Sequence, residues 1–324
     1  MSIARLISIL GAGAAALCLG TATAASDFPQ RTIRLVVPYP AGGTSDQLAR
    51  AVAMQLTKSM GQTVYVENKA GGTGTIGALD VARSAPDGYT LMLTDQTVAI
   101  SPSIFKKPKF DPVKDFTPIG EVATTPVLLV ANKDTPFHSV KELVDAAHKA
   151  PDTIDYGAGG YGGSLHLAFE RFAQEVNAKF SAIPYKGSGE TMVGLLSGQV
   201  QIMISGVPSV AGQVRKGLVR GLAVTGEKRL AALPDVPTFA EAGVPGYQAN
   251  SWLGIFGPAN MDPAVVRRLN EALNAALRQP AMLQTMETMG SVPAGGTPEA
   301  FGAQVKKDVA LWAQVARRAN IKPQ

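Results

Sequence analysis

The stretch that decides the fold is residues 33–46, which read IRLVVPYPAGGTSD. The mostly apolar residues 33–37 predict a buried β-strand, and the prolines and glycines of residues 38–43 predict a turn. Thr44 or Ser45 is predicted to cap a helix that runs to about residue 60. Passage from a strand through a glycine-rich loop into a helix is the repeating unit of α/β sheets, so the sequence predicts an α/β fold.

The same unit recurs along the chain. After the predicted strand at residues 126–131 the alternation starts afresh. A mature chain of about 300 residues also exceeds what one core usually holds, so two units are expected. In each unit the alternation predicts a mainly parallel sheet flanked by helices. The further predicted strands are residues 64–66, 89–94, 126–131, 153–156, 181–185, 200–204, 220–225 and 252–256. The further predicted helices are one ending near residue 84, one capped by Ser139 and running to about 149, and residues 164–177 and 190–196.

The C-terminal part is predicted to be helical and to carry two apolar stripes at helical spacing. Both stripes are expected to pack against the first unit. They consist of Val265, Val266, Leu269, Leu273 and Leu277, and of Phe301, Val305, Val309, Trp312 and Val315.

The first residues have the pattern of a cleavable export signal. Arg5 gives a positive start, residues 6–19 are apolar, and the segment Ala22-Thr23-Ala24 is a small-x-small cleavage site. The predicted signal peptide is residues 1–24, and Cys18 is expected to leave with it. The apolar run is too short for a comfortable membrane span of about 20 residues, so the mature chain is expected to be soluble.

Several function classes lack support in the sequence. The formal net charge of +5 is scattered, without a basic cluster interleaved with aromatics, so no nucleic-acid partner is predicted. No HExxH motif or His/Asp cluster indicates a metal, and no cofactor is predicted. Ser164 and His166 stand two apart on a predicted helix, so their side chains diverge and do not form a nucleophile–base pair. The sequence therefore predicts no enzyme.

Four strand-to-helix loops carry the best candidates for a binding site. Each presents Gly, Ser or Thr where a helix begins, and helix N-termini offer unpaired N–H groups and partial positive charge to an anion. In open α/β sheets, ligands bind beyond the carboxyl ends of the strands. The four loops are residues 41–45, 71–75, 157–164 and 186–189.

A dinucleotide site is the alternative that these glycines raise. Gly72, Gly74 and Gly77 spell G-x-G-x-x-G, with Asp95 about 20 residues on. Four residues separate this motif from its strand, however, whereas the fingerprint places the first glycine at the strand end. The second copy, at residues 157–162, follows its strand directly, but its expected acidic position falls near Lys186.

The chain resembles the periplasmic solute-binding receptors of tripartite tricarboxylate transporters, often called Bug-type proteins. An ordered series of segments from residue 28 almost to the C-terminus carries the resemblance. The segments include FP at 28–29, IRLVVPYPAGGTSD at 33–46, VENKAGG at 66–72, APDGYTL at 85–91, GSLHL at 163–167, PYKG at 184–187, LLSGQV at 195–200, LPDVPTFAEAG at 233–243 and WLGIFGPA at 252–259.

The resemblance implies a type II periplasmic-binding-protein fold that closes like a Venus flytrap. One lobe would comprise residues 25–125 plus 250–324 and the other residues 126–249, with residues 126–131 leading out and 252–256 back. A carboxylate, amino acid or aromatic acid would be held between the lobes, largely by backbone amides and waters. The partners would be that acid and the membrane subunits of a transporter, or alternatively a signalling sensor. A monomer is expected.

The resemblance and the loops together define candidate ligand-binding residues on both lobes. They are Tyr39, Ala41, Gly42, Gly43, Thr44, Asp46, Gly72, Thr94, Asp95 and Gln96 on the first lobe, and Gly159, Ser164, His166, Lys186 and Ser205 on the second.

Two of these positions depart from the family pattern and are expected to tune ligand identity. Residues 94–102 read TDQTVAISP where the family commonly shows a Thr/Ser/Ala stretch and then HAINP, and Ser205 stands where an aspartate is common. An acid at Asp95 would repel a second carboxylate and favour an amine or hydroxyl. Alternatively, Asp95 caps the helix that follows it.

Overall fold

The structure is a computed structural model that describes residues 28–160, 162–185, 187–247 and 249–321. The predicted signal peptide, Cys18 and Lys186 lie outside the described residues. Two mixed sheets flanked by helices confirm the predicted two-lobe α/β fold class.

The first sheet has six strands in the order β11-β4-β10-β3-β1-β2. Strands β1, β2 and β3 run parallel to one another, whereas β10 pairs antiparallel with both β3 and β4, and β11 pairs antiparallel with β4. Its strands are β1 (Ile33–Val37), β2 (Val64–Asn68), β3 (Thr90–Asp95), β4 (Phe116–Thr125), β10 (Ser251–Pro258) and β11 (Val292–Gly295).

The second sheet has five strands in the order β7-β6-β8-β5-β9. Strands β7, β6 and β8 are parallel, and β5 is antiparallel to both β8 and β9. Its strands are β5 (Val127–Asn132), β6 (Asp155–Gly159), β7 (Ser181–Tyr185), β8 (Ile202–Gly206) and β9 (Val219–Val224).

Helices cover both sheets. They are α1 (Thr44–Met60), α2 (Thr75–Ala82), α3 (Thr97–Ile104), α4 (Val140–Lys149), α5 (Ser164–Glu175), α6 (Ser188–Leu196), α7 (Val207–Arg215), α8 (Pro263–Leu277), α9 (Pro280–Thr288) and α10 (Pro298–Arg318). None of the helices in the described ranges is long and apolar enough to cross a membrane.

The sheets are more antiparallel than predicted, since β10 and β11 in the first sheet and β5 in the second run antiparallel to their neighbours. Strands β4 and β11 were also not predicted. Strand β4 reads FTPIGEVATT, in which Pro118 and Gly120 interrupt the alternation that marks a strand. The register between β10 and β4 also shifts twice, which accommodates these residues. The predicted segment 252–256 lies inside β10, in the first sheet between β4 and β3.

One predicted helix cap is confirmed and another is wrong. Ser139 Oγ accepts a hydrogen bond from Glu142 N at 3.2 Å at the start of α4, as predicted. Neither Thr44 nor Ser45 caps α1, because the helix already begins at Thr44 and its N-cap residue is Gly43. Asp46 instead folds back and accepts from Gly42 N at 2.8 Å.

The two sheets are joined where β4 passes into β5 with only Pro126 between them. Ser251, the first residue of β10, pairs with Thr125, the last of β4, so the outgoing and returning chains lie side by side. Val207 N donates to Pro126 O at 3.1 Å across this junction. The exact limits of the two lobes remain a prediction. They are residues 25–125 plus 250–324 for the first lobe and residues 126–249 for the second.

The two C-terminal stripes pack against different parts of the molecule. The α8 stripe packs into the core of the first sheet, as predicted. In α10, Phe301 and Val305 also join a first-lobe core, but Trp312 and Val315 contact a cluster that includes Leu167 of α5, in the second lobe. Helix α10 therefore bridges the lobes, which the stripe alone did not reveal.

This bridge predicts a stability effect at Trp312, which is 2% exposed. Replacement by alanine should lower the free energy of unfolding by about 3–5 kcal/mol, the usual range for a large buried aromatic. Trp312 Nε1 has no hydrogen-bond partner among the described residues, so Trp312→Phe removes an unsatisfied donor and should cost far less. Urea unfolding of both variants checks the difference, and equal losses would contradict this packing.

Candidate functional site

The carboxyl ends of the first-lobe strands gather around Tyr39. Its hydroxyl donates to Asp95 Oδ1 at 2.5 Å and lies 3.2 Å from Thr94 Oγ1. Burial, reinforced by the Asp95 charge, raises the pKa of Tyr39 well above its ordinary value, so the phenol stays protonated and remains a donor. The loop after β1 and the end of β3 are thereby tied together.

The loop between β1 and α1 is shaped by Asp46. This side chain is 4% exposed, and its carboxylate accepts from Gly42 N, Arg50 Nε at 3.1 Å and Asn68 Nδ2 at 3.0 Å. Burial alone would raise the pKa of Asp46, but the bonds from Arg50, Gly42 and Asn68 lower it. Because Gly42 has φ +86°, the turn takes a left-handed conformation that favours glycine.

Asp46 therefore holds the loop rather than presenting a free carboxylate. Ala41, Gly42 and Gly43 are exposed around it, and Thr44 is half-buried. Asn68 and Arg50 were not among the predicted site residues. The asparagine stands in the quoted segment VENKAGG, which was the available signal for it.

The second lobe offers a matching edge. Gly159 at the end of β6 lies so near the start of α6 that an added Cβ would stand 3.2 Å from Ser188 N. Gly160 N donates to Tyr185 O at 2.8 Å, which joins the loops after β6 and β7. The starts of α5 and α6 are thus brought to the same edge of the second sheet.

Helices α1, α5 and α6 at these edges begin at Gly43, Gly163 and Gly187 without a side-chain cap, and α2 begins at Gly74 in the same way. In α2, however, Thr75 N and Ile76 N already donate to Gly72 O and Gly71 O. Helices α4, α8 and α10 are each capped by a side chain, whereas α7 and α9 are not. First-turn N–H groups without a side-chain acceptor are suited to an anion.

The two edges meet at Asp95 and Ser164. Ser164 Oγ, at the first residue of α5, donates to Asp95 Oδ2 at 3.4 Å, which links the lobes. Asp95 Oδ1 also accepts from Thr97 N at 2.9 Å, so the carboxylate satisfies a donor at the start of α3. Gln96, which lies between Asp95 and Thr97 in the sequence, is 2% exposed.

His166 is turned toward its own loop. Its Nδ1 accepts from Gly162 N at 2.9 Å, and the residue is 1% exposed. Burial lowers the pKa of His166 to about 4, so the ring is neutral near pH 7. This geometry fixes the turn before α5 and gives Ser164 no basic partner in His166.

Two hydroxyls at these edges are buried without a hydrogen-bond partner in the described part of the chain. They are Ser205 Oγ, near the end of β8, and Thr75 Oγ1, at the start of α2. Gly72 lies beside Thr75 with φ +57°. No group of three or more His, Cys, Asp or Glu side chains suited to a metal occurs among the described residues.

Comparison with known proteins assigns this architecture to a family. The sequence model described as "Tripartite tricarboxylate transporter family receptor" matches residues 48–320. The chain is also 33% identical to Protein BugT of Bordetella pertussis (strain Tohama I), over 99% of each chain.

The chain belongs to the tripartite tricarboxylate transporter receptor family. The solved structure of the periplasmic binding protein BugD is similar to it, with a TM-score of 0.81, 35% identity, and coverage of 92% of this chain and 100% of BugD. An R. palustris protein solved with adipate gives a TM-score of 0.84, 34% identity and coverage of 92% and 100%. These members of the receptor family and its structural neighbours are solute-binding proteins.

The receptor structure brings most candidate residues to two facing edges. Tyr39, Thr94, Asp95 and Ser164 form one connected network across the lobes. Asp46 and His166 instead bond within their own loops, and Lys186 lies outside the described residues.

The neutral buried histidine predicts a pH dependence of stability. A folded-state pKa near 4, below the ordinary 6.5, means that the unfolded chain binds the proton first as pH falls. The contribution of neutral His166 to the free energy of unfolding is therefore complete above about pH 6.5 and declines toward pH 4. Between pH 7.5 and pH 5 the loss is about 2 kcal/mol.

His166→Asn supplies the matched control, because its Oδ1 can still accept from Gly162 N while the side chain never charges. Urea unfolding at both pH values should show wild type losing about 2 kcal/mol more than the variant. Parallel losses would show that His166 is not buried as a neutral ring.

Proposed function

We propose that this receptor captures a small organic acid by closing its lobes around it, with backbone N–H groups as the main ligands of the carboxylate. The observation that carries the proposal is the set of uncapped helix starts at α1, α5 and α6. The contact between Asp95 and Ser164 supports a position for the acid between the lobes, since it links one edge to the other.

The binding free energy that such a site can supply is large enough for micromolar affinity once burial is included. Two or three charge-assisted hydrogen bonds contribute about 1.5–3 kcal/mol each. Micromolar affinity requires about 8 kcal/mol, so burial and lobe closure would supply the remainder. The adipate held by the R. palustris relative supports a carboxylate as the ligand class.

Delivery and location are inferred from the family. Its members are periplasmic binding proteins, and we infer that this chain is exported through the signal pattern at residues 1–24. The partner would be the membrane subunits of a tripartite transporter, met by the closed receptor as a monomer. Catalysis is not proposed, since His166 Nδ1 accepts from Gly162 N and gives Ser164 no base.

Gly43→Asp tests the site directly. Gly43 has φ −76°, and an added Cβ would find only Pro40 O within 4 Å, at 3.8 Å, so the backbone tolerates a side chain. A carboxylate at the N-cap suits the helix itself but occupies and repels the proposed anion site. We expect the unliganded melting temperature to be kept or raised, while the shift produced by organic acids is lost.

The measurement is thermal unfolding of ligand-free protein against a broad panel of organic acids. At 1,000 times its Kd, a ligand stabilises wild type by about 4 kcal/mol. Gly212→Asp is the control, because it adds the same charge in α7, where an added Cβ has nothing within 4 Å. If no acid raises the melting temperature of wild type or of the control, the proposed site is ruled out. The same holds if the acids raise the melting temperature of Gly43→Asp as much as that of wild type.

A further inference from the structure

Asp95 stands at the contact between the lobes. We propose that it makes the receptor selective for an acid that also carries a protonated amine, a zwitterion of the amino-acid type, over the matched dicarboxylate. This inference rests on the proposed function, since it concerns the same site.

The carboxylate of Asp95 is held in one orientation. Oδ1 accepts from both Tyr39 Oη, at 2.5 Å, and Thr97 N, at 2.9 Å. These two donors come from different elements, the loop after β1 and the start of α3. Oδ2 is consequently directed at the second lobe, where its neighbour is Ser164.

Oδ2 retains capacity to accept a hydrogen bond from a ligand. Its bond from Ser164 Oγ is long, at 3.4 Å. Among the described residues no Lys, Arg or His nitrogen forms an ion pair with Asp95, whereas Asp46 is paired with Arg50 and Asp80 with Arg34 and Lys69. A half-buried carboxylate with no ion-pair partner among the described residues is suited to pair with a cation that arrives with the ligand.

The uncapped helix starts and Asp95 thus provide opposite charges across one site. Backbone N–H groups suit a carboxylate, and Asp95 Oδ2 suits an ammonium N–H donor. A second carboxylate placed near Asp95 would meet a like charge without a described cation between them, which disfavours a diacid that carries no ammonium group.

A purely structural role for Asp95 makes a different prediction. As a cap for α3 and a link to Ser164, Asp95 would need only its acceptor oxygen. Asp95→Asn keeps an oxygen for Tyr39 Oη and Thr97 N, but it removes the charge and replaces the acceptor Oδ2 with an NH2 donor. The variant should therefore fold and still present its helix starts, so any change in ligand preference reports the loss of the charged acceptor Oδ2.

The experiment measures Kd by calorimetry with ligand-free protein and matched pairs: succinate and aspartate, glutarate and glutamate, adipate and 2-aminoadipate. In the best-binding pair, wild type should bind the amino acid at least tenfold more tightly than the diacid. Asp95→Asn should lower the ratio of the diacid's Kd to the amino acid's Kd at least tenfold. Asp111→Asn, which loses a carboxylate that accepts from Val113 N and Lys114 N in another loop, should keep it.

The alternative outcomes separate the two claims. Acids that bind with no preference for the amine, or a preference that Asp95→Asn leaves unchanged, overturn the role of Asp95 and leave the proposed function intact. Malate binding as tightly as aspartate would also overturn it, since a neutral hydroxyl would then suffice. Failure of every acid to bind overturns the proposed function and this inference together.

Discussion

The structure depends on backbone N–H groups left without side-chain acceptors where helices begin at the ends of strands. A helix start buried without any acceptor is costly, and elsewhere in this chain Ser139, Asp262 and Thr297 provide caps. At Gly43 and Gly163 the sequence provides glycine instead. Helix starts of this kind are available to an external anion, which is how the fold is suited to binding an acid.

The remaining polar groups at the site serve to hold those helix starts in place. Asp46 closes the loop before α1, and His166 closes the loop before α5. Both are predicted to line the ligand, and each bonds to a backbone N–H of its own loop. Asp95 differs from them, because only one of its oxygens is used up within its own lobe. Chemical identity of a loop residue therefore does not reveal which way it faces.

Much of the fold could be predicted from local patterns. Strand β1 and helix α1 follow directly from the apolar run and the glycine turn of residues 33–46. Strand β4 could not be predicted in this way, because its proline and glycine interrupt the pattern of a strand, which pairing with β10 and β11 stabilises. The lobe-bridging role of Trp312 was equally hidden, since an apolar stripe does not state its partner. In the site, loop positions were predictable, while hydrogen-bond directions depend on residues distant in sequence.

Ligand binding by this receptor depends above all on the N–H groups at the helix starts, which bind the carboxylate. The most direct measurement is a ¹⁵N–¹H correlation spectrum of glycine-labelled protein, titrated with an organic acid that calorimetry shows to bind. We expect the amide resonances of Gly43 and Gly187, the N-cap residues of α1 and α6, to move with the binding isotherm. If binding saturates with these two resonances unmoved, and shifts are confined to glycines elsewhere, the helix starts do not bind the carboxylate.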